Sequence, residues 1–123
     1  MRVINIPGGF DQISTIWSPH IAGRVNGQEV RLARIEGAFD WHRHAKADEA
    51  FFVIKGAFEM HFRENNEERH VPLGEGDFCV VPVGVEHRPI AGAECWIMMI
   101  ADPGELNTGD VVTQKTKHVL PQL

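Results

Sequence analysis

The feature that most constrains the fold is a series of short apolar runs, each closed within a few residues by glycine, proline or asparagine. Phe58, Met60 and Phe62 alternate with polar residues, which is the period of a strand with one buried and one solvated face. Similar runs predict further strands over residues 30–35, 50–55, 78–81 and 95–100. Because turns recur so closely and no segment keeps a helical period, the sequence predicts an all-β sandwich or barrel.

Length and charge limit the remaining classes. A chain of 123 residues with 43% apolar and 24% charged residues has the composition of one globular domain, which we expect to span residues 1–123. The formal net charge of -5 argues against binding to nucleic acid or anionic lipid. No apolar run approaches the roughly 18 residues of a membrane span, and the first residues do not resemble a signal peptide. We therefore expect a cytoplasmic protein, with an irregular arm from about Asp102 onward.

The two cysteines, Cys79 and Cys95, lie in apolar stretches and lack the CxxC spacing of a redox or zinc motif. Reduced, buried thiols are the expected state in a cytosolic protein. A disulfide or a reactive thiol is the alternative.

A group of polar residues that can bind a metal lies in the segment FDWHRHAKADEAFFVIKG, residues 39–56. His42 and His44 are two residues apart, so on a strand their imidazoles point to the same face and can converge on one ion. Glu49 follows at the head of the next predicted strand, where it can face the pair. The three residues are therefore candidate metal ligands.

His87 is the fourth candidate, because it follows a predicted strand and the tight turn 82–84, which would direct the next side chain inward. His61, in contrast, is out of phase with the apolar side of its strand and is expected on a solvated face. Three further histidines lie in turn-like or terminal segments and are not expected to be ligands: His20, His70 and His118.

These residues resemble the two motifs of the cupin family, which are written G-x5-HxH-x(3,4)-E-x6-G and G-x5-PxG-x2-H-x3-N. The positions of this chain that match are His42, His44, Glu49, Gly56, Gly76, Pro82, Gly84 and His87. Gly37 precedes His42 by one residue fewer than usual, and Ala91 replaces the terminal Asn. Both motifs lie within residues 37–91 with a short connection, as in small bacterial single-domain cupins.

The resemblance implies a double-stranded β-helix, or jelly-roll, barrel that holds one divalent transition metal ion through three histidines and one glutamate. The implied ligands are His42, His44, Glu49 and His87. The alternative is a set of hydrogen-bonded core residues without an ion, although burial of these groups without a counterion is costly. Mixed nitrogen and oxygen ligation suits Fe, Mn, Ni, Co, Zn or Cu and does not select among them.

Four protein ligands leave an octahedral ion two positions for water, dioxygen or a chelating small molecule. The leading hypothesis is therefore a dioxygenase or isomerase that acts on a small oxygenated or aromatic metabolite. The chain contains no tyrosine, which excludes a phenolic acid or base. A non-catalytic metal-binding or metabolite-binding module is the alternative, because no auxiliary acid or base is evident at pocket-facing positions. An anion-binding regulatory domain would require Arg63 or Arg88 in the cavity.

Two segments that are apolar on both strand faces, residues 50–54 and 95–100, predict a homodimer. Strands of this kind are normally buried on both faces, but one barrel has a single interior. A predicted strand around residues 3–6 would cover part of the outer face. Complete cover by the chain's own arms is the alternative.

Overall fold

The computed structural model describes all 123 residues and contains seven strands. The strands are β1 (His20–Val25), β2 (Gln28–Ala38), β3 (Glu49–Lys55), β4 (Phe58–Glu64), β5 (Glu67–Leu73), β6 (Phe78–Val81) and β7 (Glu86–Ala101). They follow the short helix α1 (Ile6–Gly9) and a 3₁₀ turn (Phe10–Gln12). None of the helical segments is long and apolar enough to cross a membrane.

All pairings between strands are antiparallel, in the order β1-β2-β7-β3-β6, and β4 pairs with both β5 and β7. The 16-residue β7 is the central strand. Its first residues pair with β4 and its later residues with β3, while β2 lies along most of its length. Because β7 belongs to both parts of the sheet, the sheet curls around one interior. This arrangement confirms the predicted all-β jelly roll.

The interior is packed by alternating strand residues. In β3, Glu49, Phe51 and Val53 are buried, and the residues between them are partly exposed. The inward side chains form one apolar cluster of 12 buried residues. The members are Ala33, Ile35, Phe51, Val53, Phe58, Met60, Leu73, Val81, Ala91, Cys95, Ile97 and Met99. Glu49 belongs to the same inward row of β3, so the strand period itself places a carboxylate inside the barrel.

The N-terminal segment is helical, and the predicted strand around residues 3–6 was wrong. Pro7 lies near the first position of α1, and the Asn5 side chain accepts a hydrogen bond of 2.7 Å from the Gly8 backbone N–H. A cap and an early proline favour a helical turn over the β preference of the apolar residues before it. Phe10 and Ile13 then lie fully buried against the outer face of β2. The chain therefore covers part of its own outer sheet face.

Two turns show why their residues are needed. Asn65 and Asn66 join β4 to β5 and have φ of 51° and 62°, as a two-residue hairpin loop requires. Gly56 has φ of 86°, and a Cβ at this position would lie 3.0 Å from the Glu94 carbonyl oxygen. Glycine is therefore the residue that fits between β3 and β4.

Candidate metal centre

Four buried polar side chains meet inside the barrel. Glu49 begins β3, and His87 is the second residue of β7. His42 and His44 lie in the connection between β2 and β3 rather than on a continuous strand, but His42 forms an isolated antiparallel bridge with His87. Its hydrogen bonds are 3.1 Å from His42 N to His87 O and 2.8 Å from His87 N to His42 O. This bridge ties the HxH segment to β7.

The donor atoms of these four residues have the spacing of a metal site. One ligand atom from each residue lies within 4.8 Å of the ligand atoms of the other three. With metal–donor bonds of about 2.0–2.2 Å for imidazole nitrogen and carboxylate oxygen, two opposed donors of an octahedral ion lie about 4.0–4.4 Å apart. The side chains therefore need to contract by only a few tenths of an ångström around an ion.

Two of the imidazoles are held by backbone carbonyls through Nδ1. His42 Nδ1 lies 2.8 Å from Asp40 O, and His87 Nδ1 lies 2.9 Å from Val85 O. An Nδ1–H that donates to a carbonyl leaves Nε2 as the unprotonated nitrogen, which is the form that binds a metal. The backbone therefore orients these two rings for coordination through Nε2.

The third imidazole, that of His44, has a buried nitrogen without a hydrogen-bond partner. His44 Nδ1 lies 3.6 Å from Glu105 Oε2. His44 Nε2 is fully enclosed, lies 3.3 Å from Glu49 Oε1 and makes no hydrogen bond. Since buried polar atoms are normally partnered, this unsatisfied nitrogen, together with the donor spacing, fits a divalent transition metal ion.

Burial and neighbouring charges set the protonation of the cluster. Burial, followed by the adjacent His87, lowers the pKa of His42 to about 4. Burial alone would lower the pKa of His44, but Glu49, followed by Glu105, outweighs it and raises that pKa above its ordinary value. Burial would raise the pKa of Glu49, but its contacts with His44 and His87 hold it well below the ordinary range. Glu49 is therefore a carboxylate at neutral pH.

These pKa shifts predict how metal affinity depends on pH. The raised pKa means that His44 of the metal-free protein takes up a proton at a pH above 6.5, the ordinary histidine pKa. An incoming ion must then displace that proton. We expect the dissociation constant to rise about tenfold per pH unit below this point. Competition with a chromophoric chelator across a pH series measures it. A constant affinity from about pH 7 to about pH 5 would contradict the involvement of His44.

Glu105, in the arm after β7, is a supporting residue that the sequence analysis missed. Its carboxylate accepts hydrogen bonds of 2.8, 3.1 and 3.1 Å from the backbone N–H groups of Ala45, Lys46 and Ala47. It thereby fixes the loop that carries His44, whose ring it also approaches. A lone glutamate in a turn-rich tail gives no sequence signal for this role.

The cluster opens on a cavity lined by 13 residues, of which seven are hydrophobic. Trp17, Phe39 and Phe51 are among its aromatic and apolar walls, and His42 and Glu49 belong to its polar lining. The cavity beside the four-residue cluster is thus mostly apolar. A small molecule in this cavity would lie beside two of the candidate ligands, His42 and Glu49, and would otherwise contact mostly apolar walls.

The cavity also contains an arginine that the sequence analysis did not place there. Arg31 lines the cavity and is 4% exposed. Arg63 and Arg88, the two arginines considered from the sequence, lie outside and flank Trp41, with guanidinium carbons 3.9 and 4.9 Å from its ring. The two-residue period of β2 could have predicted this position, because Arg31 lies on the same strand face as the buried residues 33 and 35.

The remaining candidates lie apart from the cluster. His61 and His70 stack on each other, with ring centroids 5.1 Å apart, away from the four metal-ligand candidates.

Cys79 and Cys95 are unpaired, and burial raises the pKa of each thiol to about 11. Neither thiol is therefore an ionised nucleophile at neutral pH.

Sequence comparison identifies the family. Residues 25–100 match the family described as "Cupin domain". The chain belongs to the cupin family. A cupin-2 domain containing protein from Shewanella frigidimarina NCIMB 400 has a similar structure, with a TM-score of 0.76 and 38% sequence identity. The similarity covers 81% of this chain and 94% of that protein.

Two curated relatives match shorter segments of this cupin. YdbB of Bacillus subtilis (strain 168), described as an uncharacterized protein, is 36% identical over 64 residues, which are 52% of this chain and 54% of YdbB. An acireductone dioxygenase of Rhodopseudomonas palustris (strain TIE-1) is 39% identical over 49 residues, which are 40% of this chain and 29% of the enzyme. The chain thus spans about half of one relative and under a third of the other.

Proposed function

We propose that this cupin is a metal-dependent enzyme of the dioxygenase or isomerase type, which chelates a small oxygenated or aromatic metabolite. The observation that carries the proposal is the set of four converging donor residues, two of which, His42 and Glu49, line a largely apolar cavity. The partial similarity to an acireductone dioxygenase supports chemistry of the same kind. The proposed ligands of the ion are His42, His44, Glu49 and His87.

The chain's own residues would prepare the reaction in three ways. Glu49, held as a carboxylate, contributes one negative charge, so a bound divalent ion leaves net positive charge for an oxygen ligand. Such an ion supplies Lewis-acid chemistry that polarises a chelated oxygen. Phe39 and Phe51 exclude water from the cavity, which strengthens electrostatic interactions inside it. The backbone acceptors on His42 and His87 keep both rings oriented.

A non-catalytic metal-binding or metabolite-binding module is the second candidate. It is favoured by the composition of the cavity wall, where the charged or titratable side chains are Arg31, His42 and Glu49. Two of these are proposed metal ligands, and an arginine does not exchange its proton near neutral pH. The wall therefore supplies no separate general acid or base.

Reconstitution distinguishes the two candidates. The protein is loaded separately with Fe(II), Mn(II), Co(II), Ni(II), Zn(II) and Cu(II) and mixed with catechols, hydroxyketones and diketones. Dioxygen uptake reports a dioxygenase, and solvent deuterium incorporation reports an isomerase. We expect one of these signals with at least one metal and none with a variant that lacks His42 and His87. Binding of the compounds without either signal would favour the module.

We also propose that the protein forms a homodimer through the outer sheet face that its own arms leave open. A groove there is lined by five apolar residues, and Phe78 on the edge strand β6 is 58% exposed. The five residues are Ala50, Phe52, Phe78, Met98 and Ile100. A second copy is the proposed occupant, because a patch without charges can meet itself across a two-fold axis without burying an unpaired ion.

Sedimentation equilibrium tests the dimer. We expect a mass of about twice the 13.8 kDa of one chain at micromolar concentration. Phe78→Asp would bury two like charges across the two-fold axis and should weaken association at least tenfold. Val119→Asp is the matched control, because Val119 is 86% exposed in the arm. A mass of 13.8 kDa that does not change on concentration would contradict the proposal.

We also propose that the protein acts in the cytoplasm. Cys79 and Cys95 are unpaired in the structure, which is compatible with a reducing compartment.

A further inference from the structure

We propose that the natural ligand of this cavity carries a carboxylate, and that Arg31 binds this charged group. The inference deepens the proposed function, on which it rests, because it names the chemical class of the molecule. Three observations support it: the position of Arg31, its unused donors and the surplus of positive charge around it.

Arg31 occupies an inward position on β2. Glu29, Arg31, Ala33 and Ile35 are all buried, which follows the two-residue period of the strand. The last three line the cavity, as do His42 and Glu49. Arginine is rarely buried to 4% exposure unless it is paired, as Arg31 is with Glu29. A charged group therefore stands on the same cavity wall as the proposed metal ligands.

The partners of Arg31 use only part of its guanidinium. Nε and Nη2 donate to Glu29 Oε1 at 3.1 and 2.8 Å, and Nη2 also lies 3.5 Å from the Asp102 carbonyl oxygen. Nη1 makes no hydrogen bond within the chain, yet it is not among the fully enclosed atoms without a partner. It therefore keeps accessible space beside it. Glu29 fixes the plane of the group while the Nη1 hydrogens stay available to an acceptor.

The ion pair with Glu29 does not use up the positive charge. Arg24 Nη2 lies 3.1 Å from Glu29 Oε2, so one carboxylate lies between two guanidinium groups. The three side chains together carry one net positive charge. Glu49 with a divalent ion would add another. Arg24 is half-exposed, so water solvates much of its charge. The buried excess would be that of the ion with Glu49, and a ligand carboxylate bound by Arg31 would offset it.

A surface groove connects this charge to solvent. The groove shares Arg31 and Asn107 with the cavity, and Arg24 and Lys117 also line it. Its carboxylates are already engaged, Glu29 by the two arginines and the Glu105 side chain by backbone N–H groups. In a chain with a net charge of -5, these basic groups favour the approach of an anion at this mouth.

Binding of matched probes to the Ni(II)-loaded protein tests the inference without turnover. The probes are 3,4-dihydroxybenzoate and 3,4-dihydroxyphenylacetate, each compared with its neutral primary amide by anaerobic titration calorimetry. The diol chelates the metal, and the two acids differ in the reach of the carboxylate. We expect at least one acid to bind about 10–100-fold more tightly than its amide, the range of a hydrogen bond to a charged group. In Arg31→Gln the ratio of acid affinity to amide affinity should fall to about twofold or less, while the amide affinity itself is preserved.

Two further variants separate recognition from folding. Glu29→Gln combined with Arg31→Met removes both members of the buried pair, which is better tolerated than the removal of one. It should lose the preference for acids while it retains Ni(II). Arg88→Gln removes an arginine outside the cavity and should keep the wild-type ratio. Persistence of the acid preference in both Arg31 variants would overturn the assignment.

The failures of the two proposals are distinguishable. If the wild-type protein binds Ni(II) but prefers neither acid, the Arg31 inference is wrong and the metal centre stands. If none of the six ions named above binds, the proposed function fails, and metal-free protein titrated with benzoate and benzamide still tests Arg31. A preference for benzoate that is lost in Arg31→Gln would support the inference, and equal binding would overturn it.

Discussion

Replacement of both His42 and His87 by alanine is expected to abolish metal binding at the barrel centre. The wild-type protein should retain about one divalent ion per chain after dialysis, and the double variant less than about one tenth of an ion. Loss of an outer-sphere partner alone costs roughly 10–100-fold in affinity, and loss of two direct ligands should cost more. Elemental analysis and chelator competition measure both quantities. A full complement of metal in the double variant would refute the assignment.

The matched control is the pair His61→Ala and His70→Ala. It removes the same number of imidazoles from an antiparallel pair of residues, but on strands β4 and β5 and outside the cluster. This variant should keep its metal. Equal loss in both double variants would instead indicate nonspecific binding by surface histidines.

The four-residue cluster was predictable because strand geometry and turn chemistry are local. The two-residue period directs Glu49 inward together with Phe51 and Val53. A tight turn before β7 places His87 one residue after its start, as expected from the sequence. His42 and His44 do not lie in a regular strand, yet the isolated bridge to β7 directs His42 inward all the same. The Ala91 that replaces the motif Asn is itself buried within β7 and does not end the strand.

The features that sequence reasoning missed have different causes, and only that of Glu105 is a contact between distant segments. Glu105 reaches the loop around Lys46 from the arm, 59 positions away in the chain. Arg31 could be read as inward from its strand parity, but a charged residue in an apolar run is usually taken as the exposed side. The N-terminal helix is set by Asn5 and Pro7, whose local preference outweighs the apolar residues around them. A tertiary contact such as that of Glu105 leaves no periodic pattern, whereas Arg31 and the N-terminal helix did leave local signals in the sequence.

The second large effect is expected for Gly109→Ala, in the arm after β7. Gly109 has φ of 58°, and a Cβ there would lie 2.2 Å from the Arg43 carbonyl oxygen and 3.1 Å from His42 Cδ2. Positive φ costs alanine roughly 1–3 kcal/mol, and overpacking adds about 1–3 kcal/mol. The clash should also break the 3.0 Å hydrogen bond from Asp110 N to Arg43 O.

Gly109→Ala should therefore lower both the free energy of unfolding and the metal affinity, because the displaced arm no longer fixes the HxH segment. We expect the free energy of unfolding of the metal-free protein to fall by about 2–6 kcal/mol in urea denaturation. Metal affinity should fall at least about tenfold in chelator competition. Gly92→Ala is the control, since a Cβ at Gly92 meets no atom within 4 Å. Because Gly109 is not a metal ligand, lower affinity in its variant alone would show that the arm positions His42 and His44. Wild-type values for both variants would mean that the arm does not pack on the metal-binding loop in solution.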